Sequence, residues 1–78
     1  MKQGLVIMVP VDPKTGEVQS ECRTIVMKSG NPIRLAEQQT YKFANGMKDW
    51  GKTRKAFGQE ILDKGLTLKM IPVIVEVA

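Results

Sequence analysis

Residues 5–18, LVIMVPVDPKTGEV, decide the fold because an apolar run leads directly into a turn signal. The run at 5–11 is rich in valine and isoleucine, a composition that favours a β-strand. Pro13 presets φ for the second position of a turn, and Gly16 can adopt the left-handed conformation. The stretch therefore predicts a strand followed by a hairpin loop of about four to five residues.

Two further strands are predicted, one after the hairpin loop and one at the end of the chain. Residues 17–27 form the return strand, and since neither of its faces is cleanly apolar, it is expected at a sheet edge. Residues 66–77 are apolar on both faces. Pro72 removes one ladder hydrogen bond from this last strand, which indicates an edge position or a bulge.

Two helices are predicted between these strands. Asn31 is a suitable N-cap, and Pro32 fits the first helical position. Gly46 can take the left-handed position that ends this helix. Asp49 is predicted to cap a second helix, which ends at Gly65.

The resulting order, β-β-α-α-β, predicts one α+β domain over residues 1–78, a three-stranded sheet with one layer of helices on one face. Two short helices cover only one side of the sheet, so the opposite side would expose valine, isoleucine and methionine side chains. Monomers seldom leave such a patch bare. The sequence therefore predicts a homodimer or larger homo-oligomer, formed face to face or by strand addition at an open edge.

The charge is concentrated in the middle of the chain. The 78 residues include 12 basic and 8 acidic ones, for a net charge of +4. Residues 28–55 alone hold seven basic and two acidic residues, a local net charge of +5. A field of this sign attracts polyanions or acidic protein surfaces.

Residues 46–53, GMKDWGKT, have the spacing of a phosphate-binding loop. Such a loop follows a strand, and its backbone amides cradle the phosphates. Here the preceding residues predict a helix, and Asp49 would place a carboxylate inside the cradle. The context therefore disfavours nucleotide binding, and Gly46 and Gly51 are interpreted as a helix stop and a close-packing residue.

Several classes of chemistry have no support in the composition. The chain has no histidine, so its single cysteine, Cys22, lacks a histidine base to activate it as a nucleophile. A zinc site needs about four Cys or His ligands. The carboxylates are scattered, without a pair spaced for acid–base or metal chemistry. We expect no enzyme, no cofactor and no metal, and interpret Cys22 as a small strand residue.

No membrane association is predicted from the sequence. The apolar run at 5–11 is far shorter than the roughly 20 residues that a membrane-spanning helix needs. No small-residue cleavage site follows this run, so it does not resemble a signal peptide. A soluble, cytoplasmic protein is expected.

The stretch KDWGKTRKAF, residues 48–57, is the most concentrated basic and aromatic segment. Basic side chains neutralise phosphates, so a nucleic-acid interface is one interpretation, and a solvated basic helix face is the other. Phe43, Phe57 and Tyr41 are predicted to pack in the core. For Trp50 a core position is favoured, and stacking on a base is the alternative. The candidate nucleic-acid-binding residues are Lys48, Lys52, Arg54 and Lys55, with Lys42, Lys28 and Arg34 in support.

Together these features predict a small, non-enzymatic, basic binding module with a regulatory or nucleic-acid-binding role. Contacts to DNA or RNA would be mainly to phosphates, with low sequence preference. The alternative is a protein-binding inhibitor or adaptor. Such a protein would use its apolar sheet face or edge, and its charge would steer it to an acidic partner.

Overall fold

The computed structural model describes residues 2–76 and confirms the predicted α+β class. One antiparallel sheet holds the three strands in the order β2-β1-β3. In chain order the elements are β1 (Lys2–Val11), β2 (Ile25–Ser29), α1 (Pro32–Ala44), α2 (Lys52–Asp63) and β3 (Thr67–Glu76).

Strand β1 occupies the centre of the sheet. It pairs with β3 along its whole length, from Lys2 opposite Glu76 to Val11 opposite Thr67. Its pairing with β2 is shorter and covers only residues 4–8 of β1. A central strand buries both of its faces more readily than an edge strand, which explains why the most apolar run of the chain lies there.

Both helices cover the same face of the sheet, and α1 lies mainly over β3. Val6 and Met8 point towards the helices from the central strand and are fully buried. Alternation along a strand then places Leu5 and Ile7 on the opposite face. The buried members of the core come from all layers: Val6, Met8, Ala36, Met47, Trp50, Phe57, Ile61, Leu68 and Met70.

The predicted hairpin loop is confirmed, but the predicted return strand at 17–27 is wrong in its extent. Gly16 has φ +75°, and its N–H donates to the Asp12 carbonyl at 2.7 Å. After the turn, only an isolated bridge joins Val18 to Val11, and β2 begins at Ile25. Residues 17–24 have no clean apolar face, so little side-chain burial offsets the entropy of extending the ladder.

The first helix begins and ends as predicted. The Asn31 side chain accepts a hydrogen bond from the Arg34 N–H at 3.3 Å, and Pro32 takes the first helical position. For α2 the predicted cap is wrong, because Gly51 rather than Asp49 is the N-cap. No side chain caps that end. The predicted C-terminal glycine is confirmed, since Gly65 has φ +75°.

Strand β3 lies at a sheet edge, as Pro72 predicts. It extends to Glu76, and the remainder of the predicted strand, Val77, lies outside the described residues. Across residues 2–76, neither helix is both long enough and apolar enough to cross a membrane.

Candidate nucleic-acid interface

The stretch with phosphate-loop spacing forms the end of α1 and the connection to α2. Gly46 has φ +88° and donates its N–H to the Phe43 carbonyl at 3.3 Å. The Met47 N–H donates to the Lys42 carbonyl at 2.8 Å, which completes the hydrogen-bond pattern of a glycine-terminated helix. A helix therefore precedes Gly46 where a phosphate loop has a strand, and the predicted helix stop is confirmed.

The second glycine of this stretch differs from its prediction. Space around Gly51 is open, with no neighbouring atom within 4 Å of where a Cβ would lie, so the interpretation as a close-packing residue is wrong. Close packing occurs at Gly58 instead. A Cβ there would meet the Met47 sulfur and lie 3.1 Å from Cζ3 of Trp50.

Replacing Gly46 with alanine is expected to destabilise the fold by about 1–2 kcal/mol, because a Cβ disfavours the left-handed conformation. The Gly51→Ala variant is the matched control. Its backbone has φ −65° and its surroundings are open, so the loss should be smaller. Urea unfolding of both variants measures the difference. Equal midpoints would contradict the assignment of Gly46 as the residue that ends α1.

A group of basic side chains surrounds the first turn of α2. Lys48, Lys52 and Lys55 are exposed, and Arg54 is half-buried. The Arg54 guanidinium carbon lies 5.9 Å from the centroid of the Trp50 ring, a cation–π distance. Since α2 begins without a side-chain cap, its first backbone amides keep the partial positive charge of a helix N-terminus.

Several of these basic residues line two shallow depressions on the surface. One, of about 250 Å³, is lined by Tyr41, Lys42, Asn45, Lys48 and Asp49. The other, of about 400 Å³, lies at the start of α2 and is lined by Ile25, Gly51, Lys52, Thr53 and Arg54. One depression lies at the end of α1 and the other at the start of α2, on either side of the connection between the helices. We call Lys42, Lys48, Lys52, Arg54 and Lys55 the basic cluster.

The other two candidates lie apart from the basic cluster. Lys28 is opposite Leu5 in the register of β1 and β2, so it projects from the sheet face that the helices leave uncovered. Arg34 is in the first turn of α1, about 12 Å along the helix axis from Lys42. The predicted extension of the patch through Lys28 and Arg34 therefore does not form one surface with the basic cluster.

The basic cluster has no acidic partners in the part of the chain that the structure describes. The salt bridges there join Glu60 to Arg23 at 3.5 Å and to Lys64 at 3.8 Å. Within residues 2–76, none of the five cluster side chains pairs with a carboxylate. Their charges are therefore available to an external anion.

The aromatic side chains divide into buried and exposed ones. Trp50 and Phe57 are buried, which confirms their predicted role in the core. The same prediction is wrong for Tyr41, which is 70% exposed. Helical geometry contained the signal, because Tyr41 follows the buried Gln39 by two residues, a rotation of about 200° around the axis.

The sheet face opposite the helices is apolar and only partly covered. Leu5 and Ile7 on it are half-buried, and Val26 is 56% exposed. Val9 and Val11 are buried on the same face, so the patch is smaller than the sequence predicts. Residues 12–24 stay close to this end of β1, where the Gln19 N–H donates to the Pro10 carbonyl at 2.9 Å.

Comparisons of the chain with family models, with curated proteins and with solved structures found no match. Over residues 2–76, the structure contains no group of three His, Cys, Asp or Glu side chains placed to hold a metal ion.

Proposed function

We propose that this protein is a small, non-enzymatic, regulatory module that binds DNA or RNA through the basic cluster. The observation that carries the proposal is that Lys42 and Lys48 line one depression at the end of α1, while Lys52 and Arg54 line another at the start of α2, with Lys55 one turn further along α2. None of them is neutralised by a carboxylate within residues 2–76.

Two physical effects favour an anionic polymer at this surface. Lysine and arginine side chains that neutralise phosphates release condensed counterions, which drives binding at low salt. The uncapped N-terminus of α2 adds backbone N–H donors and a positive dipole end directed at the same region. Because phosphates repeat regardless of base identity, this contact has low sequence preference.

A salt titration tests the proposal with a variant in which Lys52, Arg54 and Lys55 are all alanine. Binding of a fluorescent oligonucleotide is followed by anisotropy at several salt concentrations. The plot of log affinity against log salt has a negative slope. If each of the three side chains contacts one phosphate, this slope should become less steep by about two to three in the variant. Heparin retention at graded salt provides a second measurement.

The control variant replaces Lys2, Lys14 and Lys69 with alanine, which removes the same charge from exposed positions outside the basic cluster. Its slope should stay close to that of the wild type. If both triple variants lower the slope equally, net charge rather than the basic cluster explains the binding. If the wild type binds neither DNA nor RNA, the proposal is wrong.

A second candidate function is a protein-binding inhibitor or adaptor, and the half-covered apolar face with Leu5, Ile7 and Val26 favours it. The same face supports a homodimer, because association removes its side chains from water. We place either activity in the cytoplasm. Light scattering measures the molar mass of the protein with and without an oligonucleotide. An increase with the oligonucleotide supports the first function, and an unchanged mass favours the second. Partner capture from nuclease-treated lysate, without affinity for nucleic acid, would favour the second.

A further inference from the structure

Tyr41 projects from the end of α1 beside two members of the basic cluster. Its side chain is 70% exposed. The other aromatic rings have partners, since Phe43 contacts Trp50 at 5.8 Å between centroids and Arg23 lies over Phe57 at 5.8 Å. Among the described residues, no aromatic ring or cation covers the Tyr41 ring. Its face is therefore open to a ligand.

The backbone that carries this ring is held at the helix end. The Tyr41 carbonyl accepts a hydrogen bond from the Asn45 N–H at 3.0 Å and another from Asn45 Nδ2 at 2.8 Å. A ring on a fixed backbone has only two side-chain torsions to order when a ligand binds. The entropy cost of using it as a platform is correspondingly small.

The depression next to the ring has the chemistry to hold a nucleotide. Lys42 and Lys48 line it and carry the charges that a sugar–phosphate backbone needs. Asp49 also lines it and offers oxygens that can accept hydrogen bonds from the amino groups of bases. The Tyr41 ring, the two lysine side chains and the Asp49 carboxylate therefore all lie around one depression of about 250 Å³.

We infer that Tyr41 stacks on an unpaired base and that the ligand of the basic cluster is single-stranded nucleic acid. The inference rests on the proposed function and specifies its ligand. Bases inside a duplex are stacked on each other, so an aromatic side chain reaches a base face only where the strand is unpaired. Phosphates beside the stacked base lie within reach of Lys42 and Lys48.

The test compares the wild type with Tyr41→Ala on a single-stranded oligonucleotide of about 12 nucleotides and on its duplex. Stacking on one base is worth about 1–3 kcal/mol, so the variant should bind the single strand about 5- to 150-fold more weakly. The salt slope should not change, because tyrosine carries no charge. Duplex binding should be weaker than single-strand binding in the wild type and insensitive to the variant.

A spectroscopic measurement distinguishes stacking from a loss of structure. In a single strand that contains the fluorescent base 2-aminopurine, the fluorescence of this base should be quenched on binding to the wild type. Tyr41→Phe keeps the ring and should quench it as well. The Tyr41→Ala variant should not quench it. Val26→Ala is the control, since Val26 is 56% exposed on the sheet face opposite the helices, and it should bind as the wild type does.

The outcomes separate the two proposals. If Tyr41→Ala binds and quenches like the wild type while the Lys52, Arg54 and Lys55 variant loses salt dependence, stacking is wrong and the basic cluster stands. Tighter wild-type binding to duplex than to single strand would also overturn the inference. If the wild type binds neither, both proposals fail together.

Discussion

Replacing Gly4 with alanine is expected to remove a large part of the stability of the domain. Gly4 lies in the central strand, opposite Ser29 of β2 and Ile74 of β3. A Cβ at this position would meet the Ser29 carbonyl oxygen and lie 2.7 Å from Cδ of Pro32. Backbone and a proline ring cannot move aside as a flexible side chain does. The strain therefore separates β1 from β2 and from the start of α1.

The expected loss for Gly4→Ala is about 3 kcal/mol, at the upper end of the usual cost of overpacking. A domain of this size is stable by only about 4–12 kcal/mol, so the change removes a large part of the total. Thermal unfolding should show a decrease in Tm of roughly 12–24 °C.

Gly30→Ala is the control for the Gly4 variant, because no neighbouring atom lies within 4 Å of a Cβ at Gly30. Its Tm should stay within a few degrees of the wild-type value. If the two variants had the same Tm, the close contact between β1 and the start of α1 would not exist in solution.

The Ile61→Ala variant is expected to lose about 2–5 kcal/mol of stability through a cavity in the core. Ile61 is 1% exposed and belongs to the cluster that joins α2 to the sheet. The removed methyl and methylene groups lose their transfer free energy, and the surrounding side chains refill the space only partly. Urea denaturation should show a lower midpoint with an unchanged m-value.

Leu62→Ala is the matched control for Ile61, since Leu62 is the next residue of α2 and is 42% exposed. It should lose markedly less stability than Ile61→Ala. A comparable loss at both positions would mean that α2 is rotated about its axis relative to the arrangement described.

The elements with strong local signals were predictable from the sequence. Asn31 and Pro32 begin α1, and Gly46 and Gly65 end the two helices, because caps and left-handed positions depend on backbone chemistry within a few residues. The cap of α2 was not predictable in this way. Asp49 has the right side chain for an N-cap, but residues 45–50 form turns that place Gly51 at the helix start.

The candidate site was predictable in part. The sequence indicates a basic segment around residues 48–55 with Lys42 in support, and in the structure Lys42 and Lys48 line the same depression. Pleat alternation and strand register separate Lys28 from this surface, and neither is visible in a charge count. The exposure of Tyr41 was missed because its aromatic character was taken to favour the core, without regard to its position around the helix axis.

By itself the sequence determined the order of elements, the position of the hairpin turn and the ends of α1, because each depends on interactions between residues close together in the chain. Only the tertiary structure decided that β1 is central and that Lys28 projects from the sheet face that the helices leave uncovered. These outcomes depend on pairing and packing between distant segments. Their energies arise only once the whole chain is assembled.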